Sequence, residues 1–165
     1  MMRSEDFERL YEAHAASLLA FLEYRTGNIE LAKDIHADTF ERILKTRWRF
    51  DPRKGSQKTW VYAIALNVLR DAGRRRAAEA RALDRVMAGG AEADWHESDP
   101  LGDRDAIRRA LTTLPDDERE AVALYYGADL SLEEIARVTG TRTTTIKGRL
   151  ARARDRMRDT LGASS

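Results

Sequence analysis

Only three prolines, Pro52, Pro100 and Pro115, interrupt the chain, and the stretches between them are rich in Ala, Leu, Arg and Glu with apolar residues three and four apart. Proline breaks helices and that spacing builds them, so the sequence predicts an all-α fold. Ser4 caps a first helix with an apolar stripe of Phe7, Leu10, Tyr11, Leu18, Leu19 and Leu22, which Gly27 stops. Asn28 caps a second, from about Ile29 to Trp48, burying Leu31, Ile35, Phe40, Ile43 and Leu44. Pro52 and Gly55 make residues 50–58 a loop. A third helix starts at Ser56 or Gln57, carries Trp60, Val61, Ile64, Ala65, Val68 and Leu69, and dissolves into Arg74-Arg75-Arg76.

Beyond Ala77 the pattern changes. The run from Met87 to Pro100 mixes small, acidic and turn-forming residues with no helical stripe, as a flexible linker does. A second helical cluster follows, with Ile107, Ala110, Leu111 and Leu114 on one helix and Pro115 opening the next, where Asp116, Asp117 and Glu118 suit the positive end. Two small helical domains joined by a flexible linker are expected: residues 1–80, a tether over 81–102, and residues 103–165. A chain of 165 residues with 42% apolar side chains buries one or two small cores and is too short for an elaborate multidomain enzyme. With no cysteine, disulfides, thiolate catalysis and Cys-type metal sites are excluded. The apolar stretch Trp60–Leu66 falls well below the roughly 18 residues of a membrane-spanning helix. The N-terminus turns acidic before any apolar core, unlike a secretory signal, so a cytoplasmic location is expected.

Net charge is only +1, but it is segregated. Residues 42–81 hold twelve basic and three acidic side chains and residues 137–158 hold eight and one, whereas residues 1–41 hold four and nine. Two basic blocks, one in each domain, are what gripping a polyanion at two places requires.

The sharpest motif runs from Leu130 to Leu150. Ser131-Leu-Glu-Glu134 reads as a capping box, Leu132, Ile135 and Ala136 face inward, Gly140 makes the turn, and Ile146 and Leu150 face inward on the helix that follows. This is a helix-turn-helix, with the small Ala136 allowing the helices to cross closely. Arg142, Thr143, Thr144, Lys147, Arg149 and Arg152 are left to face outward, as base-edge and phosphate contacts must. The first basic block is interleaved with Trp48, Phe50, Trp60 and Tyr62, and aromatic faces beside cations suit unstacked single strands, although the apolar helix around Trp60 favours a core role for that ring.

The matching strings are Ala32-Lys-Asp-Ile-His-Ala-Asp-Thr-Phe40, Arg49-Phe-Asp-Pro-Arg-Lys-Gly-Ser56, Thr59-Trp-Val-Tyr-Ala-Ile-Ala-Leu-Asn67, Asp71 with Arg74-Arg75-Arg76, Leu114-Pro-Asp-Asp-Glu-Arg-Glu120, Leu130–Ala136 and Thr145–Arg154. In these the chain resembles bacterial RNA polymerase sigma factors of the extracytoplasmic-function class over nearly its whole length. The resemblance implies that Asp34, Asp38 and Glu41 dock on the coiled-coil clamp of core RNA polymerase. It implies that Phe50, Lys54, Lys58, Asn67, Arg70, Arg74 and Arg75 serve the minus-ten element, with Phe50 and its loop capturing a flipped non-template base and the arginines holding the backbone. Arg142, Thr143, Thr144, Thr145, Lys147, Arg149 and Arg152 then read the minus-thirty-five duplex. Two departures stand out: His36 and Ala37 replace the family's apolar residue and Gln, and Arg142-Thr143-Thr144 replaces small residues and Gly, so the preferred promoter is not transferable.

The implied partners are core RNA polymerase, promoter DNA as duplex and as non-template single strand, and an anti-sigma protein that buries the basic faces; no membrane is involved. Such a chain is not an enzyme and needs no cofactor. His14, His36 and His96 share no metal-site spacing, so no metal is expected. Two competing readings share the composition: a helix-turn-helix regulator working alone, and a sigma mimic that titrates an anti-sigma protein. Asp94-Trp95-His96-Glu97 sets a lone Trp among acids, which reads either as a docking contact or as an incidental Trp in a disordered stretch.

Overall fold

The structure is a computed structural model and describes residues 3–84 and 103–163. Helix α1 (Ser4–Thr26) begins one residue earlier than Ser4 predicts: Arg3 holds the capping position, and its backbone N–H donates to the Asp6 carboxylate at 2.9 Å. Gly27 ends α1 in the left-handed conformation at φ 67°, donating its N–H to the Glu23 carbonyl, which a side chain would oppose. Asn28 then caps α2 (Ile29–Thr46), its side-chain oxygen accepting from the Leu31 N–H. Ala32, Ile35, Thr39, Phe40 and Ile43 are buried on α2 between α1 and α3.

Two residues expected in this core are outside it, Tyr11 at 45% and Leu44 at 42% exposure. Leu44 follows Ile43, which is fully buried, and a step of one residue turns it about 100° away from the buried side. Tyr11 lies edge-on over Phe40, 4.7 Å between ring centres, and covers it instead of entering the core.

A 3₁₀ turn (Arg47–Arg49) leads into the proline loop, and Ser56 caps α3 (Gln57–Asp84) by accepting from the Thr59 N–H. Val61, Tyr62, Ala65, Leu66, Val68 and Leu69 are its buried side. The helix does not dissolve at the arginine run but continues to Asp84, because residues 77–84 are dominated by Ala and Leu, strong helix formers without a break. Residues 81–84 of the expected tether are therefore helical, and the remainder, 85–102, lies outside the described residues together with Trp95 and His96.

The second module contains α4 (Asp103–Thr112), α5 (Asp116–Val122), a π turn (Ala123–Gly127), α6 (Leu132–Thr139) and α7 (Thr143–Ala163). Leu111, Leu124, Leu130, Ile135, Ile146, Leu150 and Ala153 form its interior. Arg119 knits α5 to the end of α4: Nε donates to the Leu111 carbonyl at 2.9 Å, and Nη2 donates to those of Leu114 at 2.9 Å and Thr112 at 3.3 Å. Helix C-termini leave carbonyls without intrahelical partners, and a guanidinium fork satisfies several at once.

The two modules touch. Helix α1 packs on the π turn and α3 on α6, and the buried apolar residues of both modules join in one cluster. Lys58 donates to the Asp129 carbonyl at 3.0 Å and Arg25 pairs with Glu120 at 3.6 Å.

His14 lies near this seam. Burial lowers its pKa, a hydrogen bond with Gln57 opposes the shift, and the Lys58 charge adds to it. The folded state thus binds its proton less readily than the unfolded state, and stability falls as pH drops through the ordinary imidazole range near ~6.5. The urea midpoint of His14→Gln should fall less than that of the wild-type chain between about pH 7.5 and about pH 5.5; parallel falls would rule the imidazole out as a source.

Candidate polymerase and nucleic-acid interfaces

Asp34, Asp38 and Glu41 recur at helical spacing on α2, and all three are exposed. Glu41 pairs with Lys45 at 2.7 Å, and that hydrogen bond and charge hold its carboxyl below the usual carboxylate range. His36 does not share this face. Its Nε2 lies 2.8 Å from the Ala15 carbonyl and its ring stands edge-on to Phe40, so it packs against α1; only the exposed Ala37 alters the outward surface. The sequence reading missed that the acidic stripe runs on into exposed apolar surface at Leu44 and Trp48, the latter 60% exposed. Their position on the line of Asp34, Asp38 and Glu41 was the available signal.

The second face starts at the 3₁₀ turn. Phe50 is half-buried against Trp60, 5.3 Å between ring centres, and the Arg49 guanidinium sits 4.8 Å over the Trp48 ring. The loop is tightened by Asp51, whose carboxylate accepts from the backbone and side chain of Arg53 and is held below its usual range by those bonds. Lys54 is exposed on the loop, and Asn67, Arg70, Arg74 and Arg75 are exposed along α3. Asp71 binds Arg74 and reaches Arg42 on α2 at 3.5 Å, which lowers its own pKa and fixes the Arg74 side chain along the helix. Lys58 is the exception, being engaged by Asp129 of the other module.

In the helix-turn-helix, the capping box is formed as the spacing required: the Ser131 side chain accepts from the Glu134 N–H, and the Glu134 carboxylate accepts from the Ser131 N–H. Gly140 takes φ 65° and ends α6, and Ala136 is half-buried at the crossing. Arg142, Thr144, Thr145 and Lys147 are exposed at the start of α7, and Thr143 is half-exposed. Arg149 and Arg152, expected to face outward, both meet acids of α5: Arg149 lies 3.4 Å from Asp117 with its side chain only 23% exposed, whereas Arg152 stays exposed while lying 3.4 Å from Glu118. Glu118 is itself buried and also pairs with Arg156 at 3.1 Å. The acids predicted to serve the start of α5 thus also bind α7 to it.

Residues 10–79 match the family Sigma-70 region 2 and residues 104–157 match Sigma-70, region 4. The chain is 34% identical over 158 residues to the RNA polymerase sigma factor CarQ of Myxococcus xanthus, covering 94% of this chain and 89% of that relative. The chain belongs to the RNA polymerase sigma factors of the extracytoplasmic-function class. It is also similar to the sigma factor EcfG of Rhodopseudomonas palustris, 32% identical over 88% of this chain and 79% of the relative. Its fold superimposes, with a TM-score of 0.80 and 26% identity, on the sigma factor RpoE of Bartonella quintana solved in complex with the anti-sigma factor NepR, across 98% of this chain and 99% of that one. As a sigma factor it binds core RNA polymerase and promoter DNA and directs transcription to particular promoters. Among the described residues no helix is long and apolar enough to cross a membrane.

Proposed function

We propose a division of labour for this sigma factor between two working units, residues 1–80 and 103–165, joined through 81–102, of which 81–84 complete α3. The first unit docks on core polymerase through Asp34, Asp38 and Glu41. It takes the non-template strand of the minus-ten element with Phe50, Lys54, Lys58, Asn67, Arg70, Arg74 and Arg75. The second unit reads the minus-thirty-five duplex with Arg142, Thr143, Thr144, Thr145, Lys147, Arg149 and Arg152. One observation carries the reading: an acidic helix face and two basic faces stay open to solvent on separate helices, α2, α3 and α7, so polymerase and DNA can be held at once.

The chemistry of RNA synthesis belongs to the polymerase, so the chain is not an enzyme; it acts in the cytoplasm. Unstacking a base costs a few kcal/mol, and the Phe50–Trp60 pair and α3 arginines return that energy only in the open complex. Besides contacting the duplex, Arg149 and Arg152 hold the recognition helix against α5 through Asp117 and Glu118. An anti-sigma protein is a further partner, on the example of the RpoE–NepR complex.

The test is to add the chain to core polymerase and map transcript starts on a genomic library. New starts preceded by two shared elements are expected; absence both of new starts and of a complex with core overturns the assignment. Phe50→Ala should leave core binding intact and reduce promoter opening, read by permanganate reactivity of unpaired thymines, about tenfold or more.

A further inference from the structure

Arg152 is assigned to the minus-thirty-five duplex, and two residues outside that assignment, Glu118 and Gly148, fix where its guanidinium lies. Glu118 is only 3% exposed, and its carboxylate lies 3.4 Å from Arg152 Nε and 3.1 Å from Arg156 Nε. A buried carboxylate is costly without such partners, whereas the two arginines are 57% and 55% exposed and have water to solvate them. What Arg152 gains from the pair is therefore direction. Its Nε is turned to Glu118, which leaves the Nη1–Nη2 end for a second acceptor.

Gly148 supplies the space along the helix. Helical side chains lean toward the N-terminus, so Arg152 reaches back over residue 148, and a Cβ there would stand 3.2 Å from Nη1 and 3.9 Å from Cζ and Nη2. Gly148 lies within α7 and has no left-handed backbone, and glycine is a poorer helix former than alanine, so helix formation does not account for it. The room it leaves lets the guanidinium lie along the helix line of Thr144 and Gly148, toward the turn assigned to the groove.

We propose that Glu118 and Gly148 are positioning residues for Arg152, holding its Nη1–Nη2 end toward one base pair of the minus-thirty-five element and so setting the preference there. This positioning rests on the duplex assignment of Arg152 above. Guanine O6 and N7 are the paired acceptors that match a guanidinium fork in the major groove, so guanine is the base selected. An arginine held in place beforehand gives up less side-chain freedom on reaching the base, and a guanidinium shared with a carboxylate is less available to phosphates. The same contact therefore favours the right sequence over any sequence.

The test is competition binding of the full chain in complex with core polymerase to a mapped promoter, to its single-base variants across the minus-thirty-five element, and to duplex lacking that element. Arg152→Ala should lose about tenfold of the preference at one guanine and little elsewhere. Glu118→Gln, close in size, should lose about fivefold at the same base pair yet bind duplex without the element about twofold more tightly, because two guanidiniums are released to phosphates. Gly148→Ala should lose a similar share of the preference while its urea midpoint stays level or rises, since alanine favours the helix; it decides the matter if Glu118→Gln is unstable. Neither replacement should add to the loss in Arg152→Ala. An unchanged preference in Glu118→Gln and Gly148→Ala overturns the positioning, as does a loss that persists on the Arg152→Ala background or weakens all sequences alike. Arg152→Ala that weakens every sequence equally, or none, overturns base reading by Arg152 and the positioning with it. A wild-type complex indifferent to every substitution in the element overturns the minus-thirty-five reading itself.

Discussion

Lysine at both Asp34 and Asp38 should reduce binding to core polymerase by about 100-fold, and each single replacement by about tenfold. Close charge pairs across protein interfaces couple by about 1.5–7 kcal/mol, and about 1.4 kcal/mol corresponds to each factor of ten, so reversal at two sites reaches this loss even after solvent screening. Both residues are exposed on the outward face of α2, away from Ala32, Ile35 and Phe40, so the core and the melting temperature should be unchanged. Competition between wild-type and variant chains for core polymerase reads the effect directly. It should shrink as salt is raised, because exposed charges are screened over about 10 Å at 0.1 M ionic strength. Wild-type affinity in the double variant would remove α2 from the docking surface.

Removing the Arg119 side chain is expected to destabilise the second module by about 3 kcal/mol. The guanidinium, only 13% exposed, donates to carbonyls of Leu111, Thr112 and Leu114 at the end of α4. Hydrogen bonds from charged donors contribute about 1.5–3 kcal/mol each, and truncation to Ala leaves covered acceptors with no donor. Water entering the space recovers part of that, which sets the figure nearer one strong bond than three. Against a typical stability of about 5–15 kcal/mol, the change is large. Urea unfolding should show a lower midpoint for Arg119→Ala, and Arg119→Lys should recover less than half of the difference, since one ammonium cannot reproduce the planar fork. A midpoint within about 0.5 kcal/mol of wild type would mean that α4 is held by its apolar side alone.

The contacts across the seam and the Arg119 anchor share a property that explains why neither was legible beforehand. Arg119 meets Leu111 eight residues away, Arg25 meets Glu120, and Lys58 meets Asp129 seventy-one residues away. In the string Leu114-Pro-Asp-Asp-Glu-Arg-Glu120 the acids predict a helix start, correctly for α5. Nothing in that string predicts that Asp117 and Glu118 also hold Arg149 and Arg152, two side chains otherwise read as outward-facing DNA contacts. Lys58 looks like any loop-proximal cation until α6 is set against α3.

Other elements were legible because their causes are local. Gly27, Asn28, Ser131 and Gly140 mark helix ends through bonds to residues within four positions, and all four do so in the structure. The departures were local competitions as well: Arg3 displaces Ser4 as the cap because Asp6 closes the box on it, and α3 outlasts the arginine run because alanines follow. Tyr11 and Leu44 have apolar bodies in the right period but stand at the edge of the stripe, where burial depends on whether a neighbouring helix extends that far.

The sequence by itself determined the all-helical architecture, the order of acidic, aromatic-basic and helix-turn-helix faces, and membership of the sigma factors. The architecture and the order of faces follow from hydrogen bonds and periodicities that close within one or two helical turns, and the membership from the likeness of whole motif strings. The tertiary structure alone decided which charges remain open to polymerase and DNA and which are bound by α5 or by the opposite module. That selection depends on which helix faces meet, a property of packing between segments far apart in the chain.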